Sequence, residues 1–285
     1  MGKFGNIQYL IDRPEPSEMF LQARQIAGFQ LQKQFKLYNE GKKIFSSNDG
    51  FKWIKAELTY PSFDHLTFAY KNSVFAVVIE LINNTETSFS LQQKERLLNA
   101  CNENNLIPCL FKVNLQESIY KVFKTNNSNY NQDDFELNSV EQGWNLFDPI
   151  NNNKIDPINL STEEPAIMSK WELSNFAIQI VTADIIKEEN QVLSFCDMPE
   201  INPQIWFKNK EGKVSWIIVK HITNDDDLDY RKWLGLEQKK NQLLPYDGYY
   251  ASVQFESKKS NSMMILNRGN QILANYKGLE RIYVS

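Results

Sequence analysis

The chain has 285 residues, 42% hydrophobic and 13% aromatic, and its 31 basic and 35 acidic side chains leave a formal charge of −4. That length and apolar content fit one large or two modest globular domains and exclude a disordered or fibrous chain. The longest apolar run, Val74–Ile79, is far short of the ~18 residues a membrane-spanning helix needs, so no membrane association is expected. The opening Met-Gly-Lys-Phe-Gly-Asn lacks the apolar stretch of a signal peptide, and Cys101, Cys109 and Cys196 form no CxxC and cannot all pair. Both observations point to a cytoplasmic, reducing location.

Charge is spread evenly. Residues 1–150 carry 15 basic and 17 acidic side chains, and residues 151–285 carry 16 and 18, so neither half is a basic module able to grip a phosphate backbone. The pairs Lys42-Lys43, Lys239-Lys240 and Lys258-Lys259 read as solvated surface, and general nucleic-acid binding is not expected.

In chain order, Pro16-Ser17-Glu18 supplies a stop, a capping hydroxyl and early negative charge for a first helix. Its apolar stripe is Phe20, Ala23, Ala27 and Leu31, and Gly41 is placed to end it. Three runs of strand character follow: Phe51–Thr59, Leu66–Tyr70 and Val74–Ile82, separated by Tyr60-Pro61-Ser62 and Lys71-Asn72-Ser73. The third is apolar without alternation, as expected of a strand buried on both faces. Ser90 with Gln93 forms a capping box for a helix running to about Glu103, and Leu106–Val113 reads as a further strand.

The same order recurs downstream. Ser169 and Glu172 form a capping box ahead of Leu173, Phe176, Ala177, Ile180 and Val181 at helical spacing. Strands are expected at Gln191–Phe195, Gln204–Lys208 and Val214–Ile222, the last two joined through Asn209-Lys210-Glu211-Gly212. Asp225-Asp226-Asp227 caps a helix near Leu228–Lys240, and Asp247-Gly248 turns into the alternating strand Tyr249–Phe255. Met263–Val284 should add two strands around Gly269 and Gly278 to the second sheet. The expected architecture is a mixed α/β (α+β) chain of two tandem αβββαβ units, each a mixed sheet flanked by helices. The units cover residues 1–113 and 169–285. Between them lies a connecting region, 114–168, rich in Asn, where Asp148-Pro149 and Asp156-Pro157 favour turns and extended chain over helix. The chain's 31 asparagines are dispersed and form no polar tract, which reads as compositional bias.

Helix, three strands, helix, strand is the core order of the restriction-endonuclease-like, or PD-(D/E)XK, superfamily, which both halves resemble over roughly Ser17–Val113 and Ser169–Phe255. The resemblance implies an Asp on the second strand and a Glu or Asp on the third as Mg²⁺ ligands, with a Lys two residues beyond the acid to orient water. Mg²⁺ prefers hard oxygen donors and the phosphodiester transition state needs nearby positive charge. The matching acids are Asp64 and Glu80, but the Lys position holds Ile82. In the second unit the aligned strand reads Ile218-Val219-Lys220-His221-Ile222, so Lys220 replaces the acid itself, while Asp197 and Glu200 precede the second strand. Neither unit completes the motif.

His65 and His221 are the only histidines, and GxGxxG, Walker A and GxSxG sequences do not occur, so nucleotide and acyl-transfer chemistry have no foothold. Two readings follow. The first is a non-enzymatic binding protein of two degenerate nuclease-like units, acting as an immunity protein that neutralises a basic toxin and needing no cofactor. Its partner surface is expected at Asp225, Asp226, Asp227, Tyr230 and Trp233, with Trp206, Trp216, Tyr249 and Tyr250 as further candidate anchors, at least half of these aromatics being expected in the core. The second is a divergent Mg²⁺-dependent nuclease using Asp64 and Glu80, with Lys55 as its migrated lysine. Under the first reading, a cation such as Lys55 pairs with Glu80 instead of a metal.

Overall fold

The computed structural model describes residues 17–41, 50–54, 66–82, 91–114, 143–198, 202–222, 247–257 and 265–282. The chain is of mixed α+β class and divides into two compact units, Pro14–Glu164 and Pro165–Ser285.

In the N-terminal unit, α1 (Glu18–Gly41) opens where Ser17 Oγ accepts a hydrogen bond from the Phe20 backbone N–H, 3.2 Å away. Its buried stripe of Ala23, Ile26, Ala27, Leu31 and Phe35 packs in one core with Phe51, just ahead of β1 (Lys52–Ile54), and with β2 (Leu66–Tyr70), β3 (Ser73–Leu81) and β4 (Ile107–Val113). The sheet runs β1-β2-β3-β4-β5-β6, where β5 is Leu146–Phe147 and β6 is Lys154–Ile155. Strands β1, β2 and β3 are antiparallel neighbours, whereas β3 and β4 are parallel because α2 (Leu91–Glu103) carries the chain back between them. Phe75, Val77, Ile79 and Leu81 of β3 enter the core against α1, and Val74, Ala76 and Val78 on the other face are equally buried. That two-sided burial is why the run does not alternate.

The C-terminal unit repeats this plan. Helix α4 (Lys170–Lys187) opens on the expected capping box, with reciprocal hydrogen bonds of 3.2 and 2.9 Å between Ser169 and Glu172. The sheet runs β13-β11-β10-β9-β8, formed by Ile272–Ile282, Asp247–Ser257, Val214–Ile222, Ile205–Lys208 and Gln191–Phe195 respectively. Strands β8, β9 and β10 are antiparallel neighbours, and β10 and β11 are parallel. Strands β3 and β10 therefore hold the same place, third from the strand that begins each series, with Val74–Ile79 and Val214–Val219 in equivalent positions. The β9–β10 connection closes through Asn209 and Lys213, with Gly212 at φ +82° as its sequence suggests.

Several local expectations are corrected. Asp156-Pro157 starts a helix: Asp156 Oδ1 accepts from the Ile158 N–H and Pro157 occupies the first turn of α3 (Pro157–Leu160), where its missing donor costs nothing. The described part of the segment read as a connector thus supplies β5, β6 and α3 to the first unit, and then β7 (Ala166–Ile167). Asp247 and Gly248 lie within β11 instead of in a turn before it. Only one of the two C-terminal strands extends the second sheet; β12 (Asn267–Arg268) pairs with β7 in a separate two-stranded sheet. Ser90, most of the Phe51–Thr59 run and the helix expected near Leu228–Lys240 lie outside the described residues.

Two close contacts fix the C-terminal unit. Arg268 on β12 makes a bidentate pair with Glu172, Nε to Oε1 at 2.7 Å and Nη2 to Oε2 at 2.8 Å, with both side chains under a tenth exposed. The capping carboxylate is thereby neutralised where it would otherwise be buried as a lone charge. In the β10–β11 pairing Gly248 stands opposite Trp216, and a Cβ there would meet Trp216 Cζ2 at 2.2 Å. Gly248→Ala should therefore lower stability by about 1–3 kcal/mol through overpacking, measured by denaturant unfolding with the Trp216 environment followed by fluorescence.

Candidate functional site

The chemistry-bearing residue among the described candidates is Glu80, next to last in β3. Residues on this strand alternate between the α1 side and the opposite face, and Glu80 falls on the opposite face, where the buried run gives way to partial exposure. Parallel pairing sets Glu80 opposite Lys112 of β4. Lys112 Nζ stands 3.8 Å from Glu80 Oε2, with side-chain exposures of 22% and 30% for Lys and Glu, so the pair is screened only in part.

Lys112 is held by more than its charge. Its ammonium donates to Asn152 Oδ1 and lies 4.9 Å from the centroid of the Phe147 ring. Asn145 Nδ2 donates to its backbone carbonyl at 2.7 Å. The β5–β6 turn that presents Asn152 is braced by Asp148, whose Oδ1 accepts from the Ile150 N–H at 2.6 Å and whose Oδ2 accepts from Asn151 Nδ2 at 3.2 Å. Asn153 N–H donates to Asn151 Oδ1, which closes the turn. The cation beside Glu80 is thus Lys112 of the adjacent strand, positioned by a braced loop. Lys55, the cation chosen from sequence, lies outside the described residues, as do Asp64 and His65. Lys112 and Asn152 were legible only through register: a lone lysine inside Leu110-Phe111-Lys112-Val113 signals a polar point on a buried strand, but not which strand it meets.

In the C-terminal unit, counting from Val74 and Val214 sets Lys220 at the Glu80 position, and the faces agree. Ile217 and Val219 enter the core with α4, as Val77 and Ile79 do with α1, so Lys220 lies on the opposite face. Its register partner on β11 is Ser252. Asp197, fully buried, accepts at Oδ2 from Asn175 Nδ2 at 2.6 Å, and Asn175 Oδ1 accepts in turn from Gln179. Asp197 is therefore tied to α4, and Glu200 lies outside the described residues.

The partner-binding candidates Asp225, Asp226, Asp227, Tyr230 and Trp233 also lie outside the described residues. As expected for at least half of the further aromatic candidates, three are core: Trp206, Trp216 and Tyr250 are buried, at 4%, 3% and 1% exposure, because they fill the face of the second sheet away from α4. Tyr249 is half-buried, packed 5.9 Å from Phe207 ring to ring. None of the three cysteines is in a disulfide and all are buried; desolvation pushes the Cys101 thiol up to about 12 and the Cys109 thiol well above its ordinary value, so neither is a thiolate at neutral pH. Among the described residues, no three His, Cys, Asp or Glu side chains gather to hold a metal ion. Likewise, none of the described helices is long and apolar enough to cross a membrane.

Residues 171–282, within the C-terminal unit, match a family model described as a domain of unknown function, DUF8840. No curated protein and no solved structure matches the chain.

Two measurements follow from these pairs. In a double-mutant cycle of Glu80→Gln and Lys112→Met, read by chemical denaturation, the coupling should be about 0.5–1 kcal/mol. Lys112→Met should cost more than Glu80→Gln, because it also removes the Asn152 and Phe147 contacts. The second measurement concerns Asp247, whose carboxyl is held below the usual aspartate range by Lys213, at 2.5 Å, and by Arg281, at 2.9 Å. A lowered carboxyl contributes stability above its unfolded pKa and loses it on acidification. The melting-temperature gap between wild type and Asp247→Asn should be widest near neutrality and begin to narrow once pH falls below about 4, the ordinary aspartate value.

Proposed function

We propose that the chain is a non-enzymatic binding protein of two degenerate restriction-endonuclease-like units, acting in the cytoplasm as an immunity protein that neutralises a basic protein toxin. The observation that carries this reading is the engagement of Glu80. In a nuclease of this topology that carboxylate faces a divalent cation, whereas here Lys112 supplies its positive charge and is itself committed to Asn152 and Phe147. The equivalent strand of the second unit carries Lys220 in place of an acid. Both third strands retain the hydrophobic pattern that builds the sheet, and both depart from the pattern that binds Mg²⁺. Such a chain keeps its surfaces and loses its chemistry. The net charge of −4 suits a basic partner, because opposite charge steers encounter.

The partner surface is assigned to Asp225, Asp226 and Asp227 beside Tyr230 and Trp233, where acidic side chains accelerate association and aromatic burial slows dissociation. A basic toxin encoded beside the gene is the probe. Charge reversal of the three aspartates should slow its association at low salt and change the rate little at high salt; a rate unchanged at low salt removes this surface. Enzymatic function is tested separately. Purified protein should leave plasmid, single-stranded DNA and RNA intact with Mg²⁺ or Mn²⁺. Metal-dependent cleavage that Glu80→Ala abolishes would replace the binding reading with a Mg²⁺ nuclease built on Asp64 and Glu80.

A further inference from the structure

The β2–β3 hairpin closes through Lys71 and Asn72, with Tyr70 paired to Ser73 and Lys71 at φ +52°. The polar groups of this tip are directed at a distant stretch of chain, residues 162–164. The Asn72 backbone N–H donates to the Thr162 carbonyl at 3.0 Å, and Asn72 Nδ2 donates to the carbonyls of Glu163 and Glu164, each at 2.9 Å. In the reverse direction, Thr162 N–H donates to Ser73 Oγ at 3.1 Å. Lys71 Nζ meets Glu163 Oε1 at 2.9 Å, but the Glu163 side chain is 81% exposed, so this ion pair contributes little. One asparagine thus holds three successive carbonyls, and it reads backbone instead of side chains.

The held stretch is the last of the N-terminal unit. Glu164 ends that unit, Pro165 begins the next, and Ala166 of β7 is paired with Arg268 of β12. While residues 162–164 are docked, the chain between the clamp and β7 is Pro165 alone. Once they are released, it runs from Thr162 to Pro165.

The anchorage is polar throughout. Ile155 and Pro157 before the stretch and Met168 after it are buried, whereas Thr162 is half-buried and Glu163, Glu164 and Pro165 are exposed. No buried apolar side chain of the stretch resists its release, and hydrogen bonds near the surface exchange readily for bonds to water. Opening therefore costs far less than unfolding the sheet on which the turn stands.

We propose that the β2–β3 turn is a latch: Asn72 pins residues 162–164 to the N-terminal unit, and the latch opens locally while that unit stays folded, lengthening the free joint ahead of the C-terminal unit.

Native-state hydrogen exchange on the full chain tests it, read at the Thr162 amide and, as the core reference, at the Val77 amide in β3. Thr162 should exchange more slowly than in an unfolded peptide but faster than Val77, at a rate that low urea leaves unchanged, whereas Val77 exchange should rise with urea. Thr162 exchange that follows Val77 in urea overturns the proposal, because the stretch then opens only with the unit. Exchange at the unfolded-peptide rate overturns it as well, because nothing is then held. Asn72→Ala should speed Thr162 exchange about tenfold or more, and Asn72→Asp further, since a carboxylate then faces two carbonyls, while Glu163→Gln should change it by less than about threefold. Asn72 variants without effect, or Glu163→Gln matching them, overturn the role given to Asn72. Cleavage of the Glu163–Glu164 bond by a glutamyl endoprotease, identified by the new N-terminus at Glu164, should also be faster in Asn72→Ala than in the wild type; an equal rate overturns the latch. Should the Asn72 variants lose Val77 protection, Ser73→Ala takes their place, read at the Asn72 amide. That amide should lose its protection as the stretch leaves, and a protected one overturns the proposal.

Discussion

A strand that must meet apolar groups on both faces constrains nearly everything around it. Strands β3 and β10 are such strands, buried from Val74 to Ile79 and from Ser215 to Val219. Each needs a layer on either side, and a chain leaving its end must cross one layer before returning. In the first unit that crossing is α2, and its return places β4 parallel to β3. Antiparallel hairpin on one flank and parallel return on the other follow from a single requirement.

The same requirement decides where polarity is tolerated. A charge in the middle of such a strand would cost several kcal/mol, so charged side chains are confined to the end where burial lapses. Glu80 and Lys220 both sit there, on the same face, with opposite signs. Parallel pairing then provides a local answer for Glu80: the neighbouring strand ends at the same level, and its next-to-last residue, Lys112, meets the acid. The ion pair is a consequence of strand geometry that a metal site would have to displace. Because Lys112 is braced by the β5–β6 turn, displacing it means breaking contacts across three strands.

Element order and type were legible where local chemistry suffices. The stripe of α1, the capping box at Ser169 and Glu172, and the alternating or continuous apolar runs of β2, β3 and β8–β10 are short-range patterns, and the folded chain follows them. What escaped depends on partners distant in sequence. Asp156-Pro157 reads as a turn but opens a helix, because Asp-Pro suits a helix start as well as a turn and only the following residues decide. Strand β12 lies outside the main sheet, paired with β7, with its Arg268 on Glu172, a partner 96 positions away. Composition marks an aromatic without marking its face, so the sequence leaves open which of the C-terminal aromatics are core; Trp206, Trp216 and Tyr250 are. Of the site, Glu80 was found as the odd charge in an apolar strand, while Lys112 required the register.

The Glu172–Arg268 clasp also bears on how the C-terminal unit folds. The two residues are 96 positions apart, so the pair forms only after most of the unit's chain has been gathered between them. Closing a segment of that length costs on the order of 4 kcal/mol in chain entropy, a debt that local helix or hairpin formation cannot offset alone. Such non-local closure slows folding and makes it all-or-none. It also makes β12 indispensable: a unit truncated before it would leave the Glu172 carboxylate buried at the start of α4 with its guanidinium gone. Arg268 thus acts as a keystone, reaching back across the unit to hold the start of α4.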